Sequence, residues 1–422
     1  MPTNFCLRFF IKLLLIHFFI FTFGFSSSIF SNVPESVRLK MKRFSSSIIK
    51  QTKDSCFLLL SPEGEVLMEH NINKKMTPAS ITKILLMLTA FESLKEDFKF
   101  YTEYYIDSDR NLLIKGFGDP FVISEELTIV AKTLKGMGHG SFKSITLDDS
   151  YFSNVDEGFL TNTDNPYDAI NGALVINFNT IYVGRDKAGK LYSPESQTPL
   201  VSVAKELAIN LPKNKEKRYN IGYSQKLNDR FRIEVISELF ARESLYILGS
   251  ASTVDRSDFK LIYRHQNTKD LDEIATGLMK YSNNFIANQI FLVMGALNSK
   301  PPANFNKGRT NFTRLLDDIF PGMQEEYYFE EGSGLSRKNY VTCQFMGEAL
   351  KEYKKYYDTM PTKSRSHVKT GSLNGVNNIV GYIRKQNRLY PVVLMLYTHR
   401  NLRDKFLGIM ENLVDAYEEA IY

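Results

Sequence analysis

The chain lacks tryptophan entirely and has only three cysteines among 422 residues. Cys6 lies in the N-terminal segment, which leaves Cys56 and Cys343 for the folded protein. So few cysteines exclude a small disulfide-stabilised scaffold. Export would permit these two to pair, but they are far apart in sequence and Cys56 lies inside an apolar run. The sequence therefore favours two buried thiols over a disulfide, with the disulfide as the alternative.

Histidine is also scarce, with six residues in the whole chain. None stands in the His-x-His or His-Glu-x-x-His spacing that a zinc peptidase uses to bind its metal. We therefore expect no metal and no other cofactor. The formal net charge of +6 is spread along the chain. It gives no reason to expect a nucleic-acid partner, although a mild positive excess suits an envelope polymer that carries carboxylates.

Residues 1–28 have the organisation of an export signal. Arg8 and Lys12 precede an uncharged run at 13–25, and small residues follow at 26–28. A basic start, an apolar middle and small residues are typical of a signal peptide. Because the run is short for a membrane-spanning helix, the sequence predicts export with cleavage. A retained anchor is the alternative.

A chain of this length is expected to form two domains. Strand-like runs dominate the middle of the chain, at 101–106, 111–115, 144–147, 174–178, 180–183 and 231–236. Helical patterns return near residue 270, and strand-like runs occur towards both ends, including 56–60 and 389–397. The sequence therefore predicts an α+β fold in which 29–94 and 256–422 share one antiparallel sheet flanked by helices. Residues 95–255 would form a mostly β accessory domain inserted into it.

The segment 77–83, Thr-Pro-Ala-Ser-Ile-Thr-Lys, predicts a nucleophile at the start of a buried helix. Thr77 is placed to cap this helix and Pro78 to open its first turn. Ser80 and Lys83 are three residues apart, so they lie on one helix face. A serine hydroxyl needs a base, and a lysine can be that base where a dry, electropositive site keeps its amine neutral. Ser-x-x-Lys occurs five times in the chain, so the pattern alone is weak evidence.

Two later patterns strengthen the prediction that Ser80 is a nucleophile. They are Ser282-x-Asn284 and Lys369-Thr370-Gly371. The three patterns in this order resemble the penicillin-binding protein and serine β-lactamase superfamily. Three further features narrow the resemblance to one family. They are Gly-Phe-Gly-Asp-Pro at 116–120, Glu-Gly-Ser-Gly-Leu-Ser-Arg at 331–337 and the large insertion. The chain resembles the low-molecular-mass class C penicillin-binding proteins, the D-alanyl-D-alanine carboxypeptidase/endopeptidase family S13, with a penicillin-binding/β-lactamase-like transpeptidase fold.

The resemblance implies an exported, periplasmic serine peptidase that cuts peptidoglycan stem peptides ending in D-Ala-D-Ala and also binds β-lactam antibiotics. Ser80 would form the acyl-enzyme, Lys83 would accept its proton, and Ser282 would pass a proton to the leaving amine. Backbone N–H groups of Ser80 and Ser372 would form the oxyanion hole. Four residues would bind substrate: Asn284, Lys369, Thr370 and Gly371.

The chain departs from the family pattern at Asn283 and Asn288, where acidic residues are usual, and at Glu331, where aspartate is commoner. These departures leave the residues that define the three motifs unchanged, so the expected catalysis stands; what they put in question is the positioning of substrate near Ser282.

Two other functions remain open from the sequence. A β-lactamase shares the acylation step but needs a second base for rapid hydrolysis, and no convincing Glu-x-x-Leu-Asn element occurs. A non-catalytic peptidoglycan-binding protein would need neither a nucleophile nor its base. Peripheral association with the membrane or cell wall is compatible with a carboxypeptidase, a β-lactamase and a binding protein alike.

Overall fold

The computed structural model describes residues 33–155, 163–250 and 258–421. The predicted export signal at 1–28 lies outside these residues. Within them, no helix is both long enough and apolar enough to cross a membrane.

The described residues form ten α-helices and seventeen strands. The helices are α1 (Glu35–Gln51), α2 (Thr82–Leu94), α3 (Ser124–Gly136), α4 (Ser202–Leu207), α5 (Gln225–Arg242), α6 (Leu271–Tyr281), α7 (Asn284–Ser299), α8 (Phe305–Ile319), α9 (Cys343–Tyr353) and α10 (Arg403–Ile421). The strands are β1 (Asp54–Leu60), β2 (Val66–His70), β3 (Tyr101–Ile106), β4 (Asn111–Gly116), β5 (Ser141–Phe142), β6 (Ser144–Asp148), β7 (Thr180–Arg185), β8 (Leu191–Tyr192), β9 (Lys215–Asn220), β10 (Tyr246–Ile247), β11 (Lys260–Gln266), β12 (Tyr327–Tyr328), β13 (Tyr340–Val341), β14 (Thr362–Lys363), β15 (Ser366–Leu373), β16 (Val376–Lys385) and β17 (Arg388–Tyr397).

Strands from both ends of the chain form one six-stranded sheet in the order β14-β15-β16-β17-β1-β2. All its neighbours are antiparallel, and Asp54 of β1 pairs with Tyr397 of β17. Alternate residues of a strand face opposite sides of the sheet. Phe57 and Leu59 pack with α1 and α10, while Cys56 and Leu58 pack with α2 and α6–α9. The predicted α+β fold with a sheet flanked by helices is confirmed.

Helix α2 lies at the centre of the second layer, and every residue from Thr82 to Phe91 is buried. A helix that is apolar on nearly all sides is stable only in the interior of a large core. Its N-terminal end is therefore held firmly, which fixes the position of the residues just before it.

The expectation of two free thiols is wrong, because Cys56 and Cys343 form a disulfide. The sequence indicated correctly that Cys56 lies buried in a strand. It did not show that α9 packs against β1, which brings the two Cα atoms to 6.1 Å, inside the range a disulfide can bridge.

Residues of the middle region form a hydrophobic cluster of their own. They include the four-stranded sheet β11-β3-β4-β6, the three-stranded sheet β8-β7-β9 and helices α3 to α5. Since β11 pairs with β3 along its length, we propose that the accessory domain extends to Gln266, beyond the predicted boundary at 255.

Two predicted strands of this region are wrong. Residues 231–236 lie inside α5, where Phe231, Val235 and Leu239 are buried at the four-residue spacing of one helix face. Residues 174–178 are not in a strand, although Val122 and Ile176 form a single isolated bridge. Both segments are short apolar runs, and such runs do not distinguish a strand from a buried helix or loop.

Candidate active site

Ser80 lies in a short 3-10 turn, Ala79–Ile81, immediately before α2. The predicted cap by Thr77 is wrong, because this turn begins without a side-chain cap. Instead, the Thr77 hydroxyl accepts a hydrogen bond from the Tyr397 hydroxyl. The Thr77 backbone N–H also donates to the Tyr397 hydroxyl, at 2.9 Å, so Thr77 is held against β17.

Ala79 has a left-handed backbone with φ of +50°, which is strained for a residue with a side chain. Asn378 of β16 holds the preceding segment, since its Nδ2 donates to the carbonyl oxygens of Thr77 and Pro78 at 2.9 Å each. Gly334 lies against the same turn, and a Cβ placed on it would be 2.0 Å from the Ala79 carbonyl oxygen. The strained turn that presents Ser80 is thus fixed from two sides.

Gly334→Ala is expected to destabilise the fold by roughly 2 kcal/mol or more and to abolish acylation, because the new methyl meets immovable backbone beside Ser80. Gly322→Ala is the matched control: Gly322 has φ of +88°, close to the +89° of Gly334, but no atom within 4 Å of its Cβ position. Thermal unfolding and fluorescent-penicillin labelling measure the difference. Equal behaviour of the two variants would contradict the packing role of Gly334.

Lys83 is completely buried, and its Nζ has three polar neighbours. It lies 3.1 Å from Ser80 Oγ, 2.9 Å from Asn284 Oδ1 and 2.6 Å from the Ser333 carbonyl oxygen. The last two can only accept hydrogen bonds. A neutral amine that donates to both turns its lone pair towards the Ser80 hydroxyl, which is the geometry of a base.

Burial also favours the neutral amine. It lowers the pKa of Lys83 well below its usual value, and the nearby positive charge of Lys369 lowers it further. The carboxylate of Glu331 acts in the opposite direction. Desolvation disfavours the charged form of any amine, so the neutral form of Lys83, which can accept a proton, is favoured relative to that of an exposed lysine.

Ser282 and Lys369 form a second pair. Ser282 ends α6 in a left-handed conformation with φ of +56°, and its Oγ accepts a hydrogen bond of 2.8 Å from Lys369 Nζ. The next residue, Asn283, caps α7 by accepting from Ile286 N–H. The sharp connection between α6 and α7 therefore directs Ser282 to Lys369 and Asn284 to Lys83.

Lys369 is itself buried at 2% exposure. Burial, together with the positive charge of Arg403, lowers its pKa to about 8. Arg403 is the first residue of α10; it donates to Ser372 Oγ on the same strand as Lys369. The site is therefore electropositive, because the side chains of Lys369 and Arg403 and the backbone N–H groups along the edge of β15 lie together in it.

Strand β15 passes unusually close to Ser80. A Cβ placed on Gly371 would be 2.6 Å from the Pro78 carbonyl oxygen and 3.1 Å from Ser80 N. Only glycine permits this approach. Thr370 and Ser372 flank Gly371 on β15, so the strand edge that carries the predicted Ser372 N–H lies beside Ser80.

The structure thus brings the predicted residues together in two linked sets: Ser80, Lys83 and Asn284 in one, and Ser282 and Lys369 in the other. Asn284 contacts Lys83 directly, whereas the sequence assigned it to the substrate. The Ser282 hydroxyl is bonded to Lys369 rather than to Lys83.

Glu331 is a structural member of the site that the sequence did not identify. It is fully buried and accepts hydrogen bonds from the backbone N–H groups of Ser333, Gly334 and Ser336. Asn288, another departure from the family pattern, accepts from Gly332 N–H. These contacts shape the loop whose Ser333 carbonyl meets Lys83. The glycines and serines of 331–337 indicate a loop from the sequence alone, but they do not show that this loop packs against Lys83.

Comparison with known proteins gives a consistent result. The model of the D-Ala-D-Ala carboxypeptidase 3 (S13) family matches residues 57–232 and 248–363. Penicillin-sensitive carboxypeptidase A of Dictyostelium discoideum is 22% identical, over 84% of this chain and 85% of that protein. D-alanyl-D-alanine carboxypeptidase DacB of Haemophilus influenzae is 23% identical, over 76% of this chain and 80% of its own length.

The crystal structure of penicillin binding protein 4 (dacB) from Haemophilus influenzae has a similar fold. It superposes with a TM-score of 0.71 at 19% identity, over 89% of this chain and 98% of that one. A second structure of the same protein, complexed with a β-lactam, gives a TM-score of 0.66.

Proposed function

The chain belongs to the D-Ala-D-Ala carboxypeptidase 3 (S13) family, and from this premise we propose that Ser80 is the nucleophile of its hydrolase activity. The activity is that of a serine-type D-Ala-D-Ala carboxypeptidase. The observation that carries the residue assignment is the buried Lys83 amine, which lies 3.1 Å from Ser80 Oγ with two acceptors occupying its N–H groups.

In acylation, Ser80 Oγ attacks the carbonyl carbon between the two D-alanines while Lys83 accepts the hydroxyl proton. The backbone N–H groups of Ser80 and Ser372 receive the developing oxyanion, at about 3 kcal/mol per donor. The C–N bond then breaks, and the proton that Lys83 took from Ser80 passes through the Ser282 hydroxyl to the leaving amine, which leaves Lys83 neutral again. D-Alanine departs, and water hydrolyses the ester to restore Ser80.

The substrate's terminal carboxylate binds at the electropositive strand edge. Lys369 supplies a cation and Thr370 a hydroxyl donor, and Gly371 leaves room for the substrate backbone. We add Arg403 to this set, because its side chain lies beside Ser372 at 15% exposure. Two cations at one strand edge suit a carboxylate from either a peptide or a penicillin.

Arg403→Gln is expected to raise KM for a D-Ala-D-Ala peptide about tenfold with a smaller change in kcat, because one cation is removed from the carboxylate site. Arg400→Gln is the control, since it removes the same charge from an exposed side chain of the preceding loop. Steady-state release of D-alanine gives both constants. A fall in kcat with KM unchanged would argue against carboxylate binding by Arg403.

The family's action on the cell wall implies an envelope location. We propose that residues 1–28 direct export to the periplasm, and that the enzyme acts on peptidoglycan stem peptides and is acylated by β-lactams. Cleavage of cross-links as an endopeptidase is part of the same proposal, since it needs the same acyl-enzyme with a different leaving amine.

Mass spectrometry of defined muropeptides tests the function. Wild-type protein is expected to remove one alanine from a pentapeptide and, if it is also an endopeptidase, to split a cross-linked dimer; Ser80→Ala should do neither. A fluorescent penicillin should give a long-lived adduct in the wild type. Rapid turnover of penicillin would indicate a β-lactamase, and absence of both products and adduct would indicate a binding protein.

A further inference from the structure

The segment Gly-Phe-Gly-Asp-Pro at 116–120 follows β4 and contributes no side chain to the catalytic set. Gly118 has φ of +81°, and a Cβ placed on it would lie 2.6 Å from Val293 Cγ2 of α7. Only glycine fits a left-handed backbone that lies this close to a helix. The segment is therefore shaped to pack against α7, the helix that begins with Asn284.

Gln289 of α7 bonds this segment and a second loop. It is fully buried, and its Nε2 donates to the carbonyl oxygens of Gly118 and Gly172 at 3.1 and 3.0 Å. Its Oε1 accepts from Asn171 Nδ2 at 2.9 Å and from Gly172 N–H at 3.3 Å. Asn171 Nδ2 also donates to the Phe285 carbonyl oxygen at 3.0 Å. Because a side-chain amide has two donors and two acceptor positions, Gln289 uses all of them to hold both loops to α7.

Asp119 connects the same segment to α6. Its carboxylate accepts from Asn267 Nδ2 at 3.1 and 2.9 Å, and both residues are buried. The Asn267 Oδ1 atom accepts from Lys269 N–H, one residue before Asp270, which caps α6. Hydrogen bonds to a carboxylate are strong when water is excluded. The segment is therefore joined to the start of α6 as well as to α7.

The junction between α6 and α7 carries Ser282 and Asn284, which bond Lys369 and Lys83 at 2.8 and 2.9 Å. Hydrogen bonds are lost beyond about 3.5 Å, so a shift of about 1 Å in either helix breaks these contacts. Gln289 lies in the same helix as Asn284, about 7.5 Å further along its axis. The contacts of segment 116–120 with both helices therefore fix the position of the junction.

We propose that Gln289 is a positioning residue for proton transfer to the leaving amine, that it acts through Ser282, and that segment 116–120 serves this purpose in the fold. The inference rests on the proposed role of Ser282. Ser80 is held separately, because β16 and Gly334 fix the turn that carries it. Loss of the Gln289 contacts therefore affects departure of the amine more than attack by Ser80.

Two substrates with different leaving groups separate departure from attack. The D-Ala-D-Ala amide needs a proton on its nitrogen before the C–N bond breaks, because an amine cannot leave as an anion in water. A thioester of the same acyl group needs no such proton, since a thiol has a pKa of about 8.5 and departs as the thiolate. Both substrates acylate Ser80 with Lys83 as the base. Only kcat/KM for the amide therefore depends on Ser282.

Gln289→Met is expected to lower kcat/KM about 10²-fold for the amide, the usual effect of a displacement of about 1 Å, and less than about tenfold for the thioester. Methionine keeps the length of glutamine but bonds neither loop. Asn171→Ala, which removes two of the contacts from the loop side, should change the ratio of the two constants in the same direction. Tyr382→Phe is the control, because it removes a buried hydrogen bond that joins β16 to α9 rather than to α6 or α7. It should lower the thermal midpoint and leave the ratio unchanged.

A double-mutant cycle with Ser282→Ala shows whether Gln289 acts through Ser282. In the Ser282→Ala background, Gln289→Met should lower kcat/KM for the amide much less than it does in the wild type. Three outcomes overturn the proposal: an equal fall in both backgrounds, equal falls for amide and thioester in the variants that fold, or a Ser282→Ala variant that cleaves the amide at the wild-type rate. Release of D-alanine by the wild type, and its loss in Ser80→Ala, tests the proposed function separately, so the two failures give different results.

Discussion

Replacing Lys83 by methionine is expected to slow acylation of Ser80 by about 10²–10⁴-fold, which is the usual contribution of a positioned general base. The Ser80 hydroxyl stays in place, since the turn that carries it is held by Asn378 and Gly334 rather than by Lys83. Methionine is unbranched and of similar length, so it fills the buried volume without a proton acceptor. The second-order rate constant for labelling by a fluorescent penicillin measures the effect.

The same variant should remain folded, because two opposing effects act on its stability. The acceptors Asn284 Oδ1 and Ser333 O lose a donor, at a cost of about 1–3 kcal/mol. The penalty for burying a lysine, which shows as its lowered pKa, is removed. Lys338→Met, at an exposed lysine paired with Glu330, is the control and should acylate at the wild-type rate. Normal labelling of Lys83→Met would mean that another group takes the proton from Ser80.

The sequence was most informative where chemistry restricts both the residue and its spacing. Ser80 and Lys83 lie a helical turn apart, and the sheet formed by both chain ends was visible in the strand-like runs around 56–60 and 389–397. These features depend on local periodicity and motif order, which a single sequence contains.

Features that depend on packing between distant segments were not visible. The disulfide needs α9 to lie against β1, and nothing near Cys343 shows this. Asn378 looks like an ordinary strand residue until the strained turn before Ser80 is placed beside it. Arg403 is one of many arginines, and only the start of α10 at the edge of β15 gives it a role.

The pH dependence of catalysis provides the second large effect. Lys83 must be neutral to act as a base, whereas Lys369 must be charged to bind a carboxylate and to keep the pKa of Lys83 low. The pKa of Lys369 is lowered to about 8 by burial and by Arg403. Because a lysine loses its charge above its pKa, kcat/KM is expected to fall as the pH rises through about 8.

Arg403→Gln gives this prediction its sharpest test. Removing the neighbouring positive charge makes protonation of Lys369 easier, so its pKa rises and the alkaline fall in kcat/KM moves to higher pH. A residue that merely supports the fold would lower the whole profile without moving it. The measurement is kcat/KM for a D-Ala-D-Ala peptide from pH 6 to about 10, with Arg400→Gln as the control. An alkaline limb that keeps its position in Arg403→Gln would show that a group other than Lys369 titrates there, and would remove the basis for pairing these two cations at the carboxylate site.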